Sequence, residues 1–271
     1  MGPDPRPRHR APPTVWPLSR PVQDRRSVIP VEQRPAEADG VRPDGGWVGR
    51  LFFGPWWLVY AGVVGPTDEH RHHAIQLVAA PGTRLLDTTG DHASPAVVPP
   101  DHPHAIAGIG TGVVVFVDPE ATSAADLVSR PPPGFSDTDL PETRADATGL
   151  VTALTQPADR LPPDRHPAIA WLLALLPDDP DAPLPVLAAA VGLSPSRVTH
   201  LFRDQVGIPL RAYRRWVRFL LAAEALRDGA SLTDAAHHAG FADVSHLHRT
   251  FRHHFGLQPG PLLRAVEWVT A

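Results

Sequence analysis

Residues 237–256 read "HHAGFADVSHLHRTFRHHFG", with six histidines and two arginines set around a few spaced apolar residues. Two readings compete: a metal-binding cluster, or the polar face of a helix that lies on something else. A second copy of the stretch would decide between them, and the chain holds one. With Phe202 laid over Phe251, Ser194 falls on Asp243, Val198 on Leu247, Arg203 on Arg252 and Gly207 on Gly256, at a constant offset of 49 residues. Each copy is a short Ala-rich helix, a Gly turn, a capped second helix and an "F-R-x-x-x-G" exit. This is the pattern of a tandem helix-turn-helix.

Local signals agree. Ser194 is a good N-cap with Pro195 at the first helical position, which predicts a helix to about Gln205. Pro209 opens a long helix that stops at Gly229, with Leu210, Tyr213, Val217, Leu221 and Ala225 on one stripe. Ser231 followed by Asp234 resembles a capping box, and Asp243 caps a last long helix through Phe255. In the second helices Val198, Leu201 and Phe202, and Leu247 and Phe251, hold each helix against its partner. The opposite faces carry Ser196, Thr199, His200 and Arg203 in one copy, and Ser245, His248, Arg249 and Arg252 in the other. Hydroxyl and imidazole groups reach base edges in a DNA major groove, while Arg takes guanine or phosphate. Two such helices on one rigid connector can enter successive grooves about 34 Å apart. As metal ligands the same histidines are badly placed. His237 and His238 are adjacent and point apart, as do His253 and His254, and Arg252 shares a face with His248, where it would repel a cation.

At residues 184–264 the chain resembles the DNA-binding domain of AraC/XylS-family transcriptional regulators. The carrying segments are "LAAAVGLSPSRVTHLF", "LRAYRRWVRFLLAAEALRDG" and "SLTDAAHHAGFADVSHLHRTFRHHFGLQPGPL". The resemblance implies base reading by Ser196, Thr199 and His200 in the first copy and by Ser245, His248 and Arg249 in the second. It implies phosphate contacts by Arg203 and Arg252. The first copy has small residues where many family members have long ones, so less base specificity is expected there. Double-stranded promoter DNA, RNA polymerase and a homodimeric partner copy are the partners the resemblance implies.

The remainder of the chain has a different texture. Residues 1–45 scatter Pro and charge without an apolar period and read as largely disordered. From Trp47 to about Asp118, short runs such as "WWLVYAGVV", "HAIQLVAA" and "GVVVFVD" alternate with Gly, Pro and Asp turns, which predicts a small antiparallel barrel or sandwich. Residues 121–145 read as a weak helix and a turn-rich connector. "HPAIAWLLALLP" (166–177) reads as an apolar helix ending at Pro177 and buried between domains, with "DDPDAP" (178–183) as the boundary. Everything after Leu184 reads as helix. The expected architecture is two-domain: an N-terminal all-β cupin-like barrel at 46–120, a helical linker region at 121–183, and an all-α domain at 184–271 with two helix-turn-helix motifs joined by a long helix.

The barrel has its own histidines. If "DEHRHHAIQLVAAPG" is a strand, His70, His72, Ala74, Gln76 and Val78 share one face. With His104 downstream, the spacing His70-x-His72-x3-Gln76 and Pro99-x-Asp101-x2-His104 resembles the cupin metal pattern. Gln76 stands where that pattern has an acid, and Asp101 where it has Gly. Three histidines suffice as the core of a site for one divalent transition metal: Zn, Fe, Mn, Ni or Cu. A metal-free pocket for an organic effector is the competing reading, and the nearby Phe52, Trp56 and Trp57 serve either a pocket mouth or a core.

Composition limits the classes. Cysteine is absent, so there is no disulfide framework and no thiolate zinc site. No apolar run reaches a membrane span of about 18–20 residues, and no apolar signal core follows the N-terminus, so a bacterial cytoplasmic protein is expected. All 25 basic residues are Arg, a bias that points to a GC-rich genome. Charge is uneven: 8 Arg against 6 acids in residues 1–45, 7 against 17 in 46–184, and 10 against 6 in 185–271. The basic last third is compatible with a polyanionic partner. The reading is a sequence-specific DNA-binding regulator, an activator by resemblance, modulated by a ligand in the barrel and not an enzyme. The alternatives are a metal-dependent cupin enzyme and a ligand-independent DNA-binding protein with an inert barrel.

Overall fold

The computed structural model describes residues 46–54, 56–121, 127–128, 140–155 and 165–269. The expected disorder of residues 1–45, and most of the expected helix and connector at 121–145, fall outside these. The Val-rich runs form strands Val48–Phe53 (β1), Trp57–Val64 (β2), Ile75–Ala79 (β3), Thr83–Asp87 (β4), Gly90–Ala93 (β5), Ala96–Val98 (β6), His104–Gly108 (β7) and Gly110–Val117 (β8). A ninth strand, Val266–Val269 (β9), comes from the far end of the chain. One sheet runs β6-β3-β8-β2-β1-β9 and the other β5-β4-β7. The expected cupin-like sheets are therefore present, but they do not close into a barrel.

The centre of the large sheet is covered on both faces, which explains the near-continuous apolar run of β8. Val113, Val115 and Val117 join a core completed by Ala147, Val151 and Leu154 of helix Arg144–Leu154 (α1). Val114 and Phe116 point the other way, into a core shared with Leu85 and Ile106 of the small sheet. Thr143 starts α1 with a full capping box to Asp146.

The helical part comprises Pro167–Leu175 (α2), Leu184–Ala190 (α3), Pro195–Val206 (α4), Leu210–Arg227 (α5), Leu232–His238 (α6), Val244–Phe255 (α7) and Pro259–Ala265 (α8). The two halves repeat as expected. Helices α4 and α7 have 12 residues each, are capped by Ser194 and Asp243, and end at left-handed Gly207 and Gly256. The turns differ slightly: the first runs from Val191 to Ser194 and the second from Ala239 to Asp243, one residue longer. The first helices are therefore related by 48 residues, with Leu187 and Ala188 buried in one and Ala235 and Ala236 in the other.

Two expectations are corrected here. Helix α2 does not lie buried between the domains. Ile169 and Leu172 pack into the first helix-turn-helix core with Val198 and Phe202, and Trp171 on its outer side is 41% exposed. The C-terminus is not all helix either. Strand β9 leaves α8 and pairs in parallel with β1, from Gly49↔Val266 to Phe52↔Val269. The helical domain is thereby hydrogen-bonded to the sheet.

Candidate nucleic-acid interface

On α4, Ser196, His200 and Arg203 are exposed and Thr199 is half-buried. The Thr199 hydroxyl donates to the Ser196 carbonyl at 2.8 Å, so part of its capacity is spent on its own helix. On α7, Ser245 and Arg249 are exposed. His248 is half-buried, and its Nε2 is enclosed without a hydrogen-bond partner. Val198, Leu201 and Phe202, and Leu247 and Phe251, are all buried, as the amphipathic pattern requires. The expected polar faces therefore exist, with Arg249 and Ser245 more open than His248.

The C-terminal end of α7 is not free. Arg252 donates from Nε and a terminal nitrogen to Asp68 at 3.2 and 2.7 Å. The Asp68 backbone N–H donates to the Gly256 carbonyl at 3.0 Å, and that of Arg71 to the His253 carbonyl at 3.3 Å. Gly256 has φ +65°, and a Cβ there would come 2.2 Å from the Asp68 carbonyl oxygen, so this approach requires glycine on two counts. His254 is buried at the seam. Its Nδ1 donates to the Arg71 carbonyl at 3.2 Å, its ring meets Trp216 edge-on, and burial pushes its pKa down to about 3. From α5, Trp216, Phe219, Leu220 and Ala223 join the sheet's core. The sequence reading missed Asp68, Arg71, His254 and the β9 tail. The one signal for this contact was the acidic pair "DE" (68–69), opposite in sign to the α7 end.

The second cluster is assembled from the barrel histidines. His70, His72, Gln76 and His104 are all buried, and one ring nitrogen of each histidine lies within 4.8 Å of the others. The spacing works even though the strand reading of 70–76 does not: β3 starts only at Ile75, and His70 reaches His104 through an isolated bridge. Each ring donates Nδ1–H to a backbone carbonyl: His70 to Asp68 at 2.8 Å, His72 to Ala74 at 2.9 Å, and His104 to His102 at 2.8 Å. A carbonyl only accepts, so the other nitrogen of each ring keeps a lone pair. Burial holds all three in the neutral form, with the His72 pKa down at about 3.

Such a locked Nδ1 is common in metal-ligating histidines. The fourth member decides whether an ion fits. Gln76 Oε1 stands 2.6 Å from His72 Nε2 and 3.0 Å from His104 Nε2, so an acceptor faces two nitrogens that keep their lone pairs. Donor atoms around a four-coordinate ion with bonds of about 2.0–2.1 Å stay about 3.3 Å apart, wider than either contact. The two ends of an amide are sterically equivalent, and with its NH2 group turned inward Gln76 donates one hydrogen to each Nε2. In that orientation His72 and His104 are both satisfied, and the second nitrogen of His70 keeps its lone pair. As placed, these four residues do not fit a four-coordinate ion. Phe52 and Trp57 belong to the α1 side of the sheet, and Trp56 packs partly against it.

Against known proteins, residues 187–265 match the family model described as a helix-turn-helix domain. The transcriptional activator NphR of a Rhodococcus species is 32% identical over 154 residues, which is 51% of this chain and 46% of that protein. The match thus spans about half the length of that relative. An apo ToxT variant from Vibrio cholerae has a TM-score of 0.51 at 11% identity, covering 80% of this chain and all 100% of that one. ToxT from the same organism with a bound unsaturated fatty acid has a TM-score of 0.50 at 10% identity, covering 78% and 96%. At these identities the structures share the fold. No helix among the described residues is long and apolar enough to cross a membrane.

Proposed function

We propose that this chain, whose residues 187–265 match a helix-turn-helix domain, is an AraC-type, sequence-specific DNA-binding regulator of transcription controlled by a small-molecule effector. The observation that carries the reading is the pair of matched 12-residue helices, α4 and α7, each capped, each apolar on one side and polar on the other. Ser196, Thr199 and His200, and Ser245, His248 and Arg249, are proposed to face bases. Arg203 and Arg252 are proposed to take phosphates, Arg252 only after leaving Asp68. Activation through RNA polymerase at a promoter, a homodimeric state and a cytoplasmic location complete the proposal, with no catalytic role. The effector reading rests on an apolar cleft between the large sheet and the helices, where Phe53 and Phe116 face Phe219 and Phe255. We read the His70, His72, Gln76 and His104 cluster as a hydrogen-bonded floor of the sheet domain that works without a metal.

The test is binding of the full chain to duplexes selected from a randomised pool. Arg249→Ala should weaken the selected duplex by about 1–3 kcal/mol and leave unselected duplex unchanged, the mark of a base contact. Equal losses on both duplexes would remove Arg249 from the base-reading set.

A further inference from the structure

We infer that the outward face of helix α3, in the first helix-turn-helix, is a docking surface for RNA polymerase bound to the same promoter. The inference rests on the regulator reading above and names a surface that reading leaves open. Helix α3 reads "LPVLAAA" and carries no polar side chain. Leu187 and Ala188 are buried in the core of the module. Pro185, Val186, Ala189 and Ala190 are all exposed, Val186 at 59%. Side chains three and four apart adjoin on a helix, so these four form one continuous apolar strip.

The second repeat is an internal control. At the same places, 48 residues on, helix α6 exposes Thr233, Asp234, His237 and His238 above the buried Ala235 and Ala236. The module therefore folds with a polar outer face, and packing does not require the apolar one on α3. DNA does not require it either, since no side chain of the strip can donate to a phosphate or to a base edge.

What covers the strip follows from its size and its rim. Helix α3 has 7 residues, a length of about 10 Å. A contact that small stays below the roughly 1,200 Å² of a stable interface. It holds only where the partner is already close. Two proteins on one promoter meet that condition, because the DNA raises the effective concentration of each at the other. The rim is acidic: Asp178, Asp179 and Asp181, all exposed, lie in the loop that leads into α3. A second copy of the chain would bring the same strip, again without a basic residue on it. A protein seated on adjoining DNA is basic where it grips the duplex, and such a flank complements this rim. For a regulator of transcription, RNA polymerase is that protein.

The experiment has two arms and uses the full chain. In the first, p-benzoylphenylalanine replaces Val186 or, as the control, Asp234. Each chain is irradiated with purified RNA polymerase holoenzyme from a GC-rich bacterium, without DNA, so that a weak contact is trapped covalently. Crosslinking to a polymerase subunit should be at least fivefold stronger from position 186 than from position 234. In the second arm, Val186→Asp/Ala189→His gives α3 the side chains that α6 carries at these places. That variant should keep the parent's circular dichroism and hold its affinity for the selected duplex within twofold. It should lose at least fivefold in transcription from a template that carries the selected duplex beside a promoter. Ala190→Arg, a separate change on the same strip, should behave alike, and Thr233→Ala/His237→Ala on the second repeat should match the parent. Equal crosslinking from both positions, crosslinking only to a second copy of the chain, a parent chain that does not raise transcription, or full transcription by either folded α3 variant would overturn the surface. Loss of duplex affinity by both folded variants would make α3 a DNA contact and overturn it too. A chain that crosslinks from position 186 but selects no duplex sinks the regulator reading and leaves the contact standing. A chain that selects duplex but crosslinks no polymerase sinks the contact alone.

Discussion

Trp268→Ala is the most informative single change. Trp268 lies on β9, stacks on Phe53 with centroids 5.2 Å apart and planes 5° apart, and sits outside both helix-turn-helix cores. Its removal loosens the hold of the helical domain on the sheet without touching α4 or α7. A stacked aromatic pair contributes about 0.5–1.5 kcal/mol beyond burial. Half-burial of an indole adds roughly 100 Å² at about 25 cal/mol/Å², an upper value of about 2.5 kcal/mol. The pairing of β9 with β1 survives through its backbone hydrogen bonds, so the docked state should lose about 2–3 kcal/mol. If only the undocked chain binds DNA, apparent affinity scales with its population. A loss of that size would raise affinity by up to about 30–150-fold, capped by the docking free energy itself. The assay is fluorescence anisotropy of a labelled selected duplex at fixed salt, with parent and variant side by side. At least tenfold tighter binding is expected. Equal or weaker binding by a variant of unchanged helix content would refute docking as an inhibitory state.

Other outcomes follow from the same geometry. Arg203 is exposed and Arg252 is held by an exposed ion pair, which is worth only about 0–1 kcal/mol. Each should still meet a phosphate, so Arg203→Ala and Arg252→Ala should each lower the slope of log affinity against log salt by about one; an unchanged slope removes that residue from the phosphate set. His72 and His254 have folded pKa values of about 3 against 6.5 in the unfolded chain. Between those values the unfolded chain binds more protons. The stability these residues contribute is present above about pH 6.5 and drains as pH falls, by roughly 1.4 kcal/mol per unit for each histidine. The melting temperature should therefore drop steadily from pH 7 to pH 5, and a flat profile would show that these rings are not buried neutral. Metal analysis of the purified chain should find well under one transition-metal ion per chain; one ion, lost in His72→Ala/His104→Ala, would turn the histidine cluster into a coordination site.

The helical half was legible because its signals are local. Ser194 and Asp243 cap, Gly207 and Gly256 end, and the apolar stripe between them survives in each copy. The extra residue of the second turn leaves no mark on the second helices, which keep one constant offset. In the sheet domain, spacing brought His70, His72, Gln76 and His104 together, although only Gln76 and His104 lie on strands and His70 and His72 precede β3 on a bridge and a bend. Strand β9 was read as helix because "VEWV" is four residues long, too short for a period of two to stand out against the helix before it. The docking of Arg252 on Asp68 joins residues 184 apart in sequence, and the acidic pair at 68–69 does not by itself name its partner. The cleft was missed for the same reason, since its walls come from both ends of the chain.

The central claim is that α4 and α7 read DNA together, and hydroxyl-radical footprinting of the full chain on its selected duplex tests it most directly. Two protected segments about one helical turn, roughly 10 base pairs, apart are expected. Arg249→Ala should expose the segment under α7, while a combined Ser196→Ala/His200→Ala variant should expose the one under α4. A selected pool with no common sequence, or a single protected segment indifferent to either variant, would contradict it.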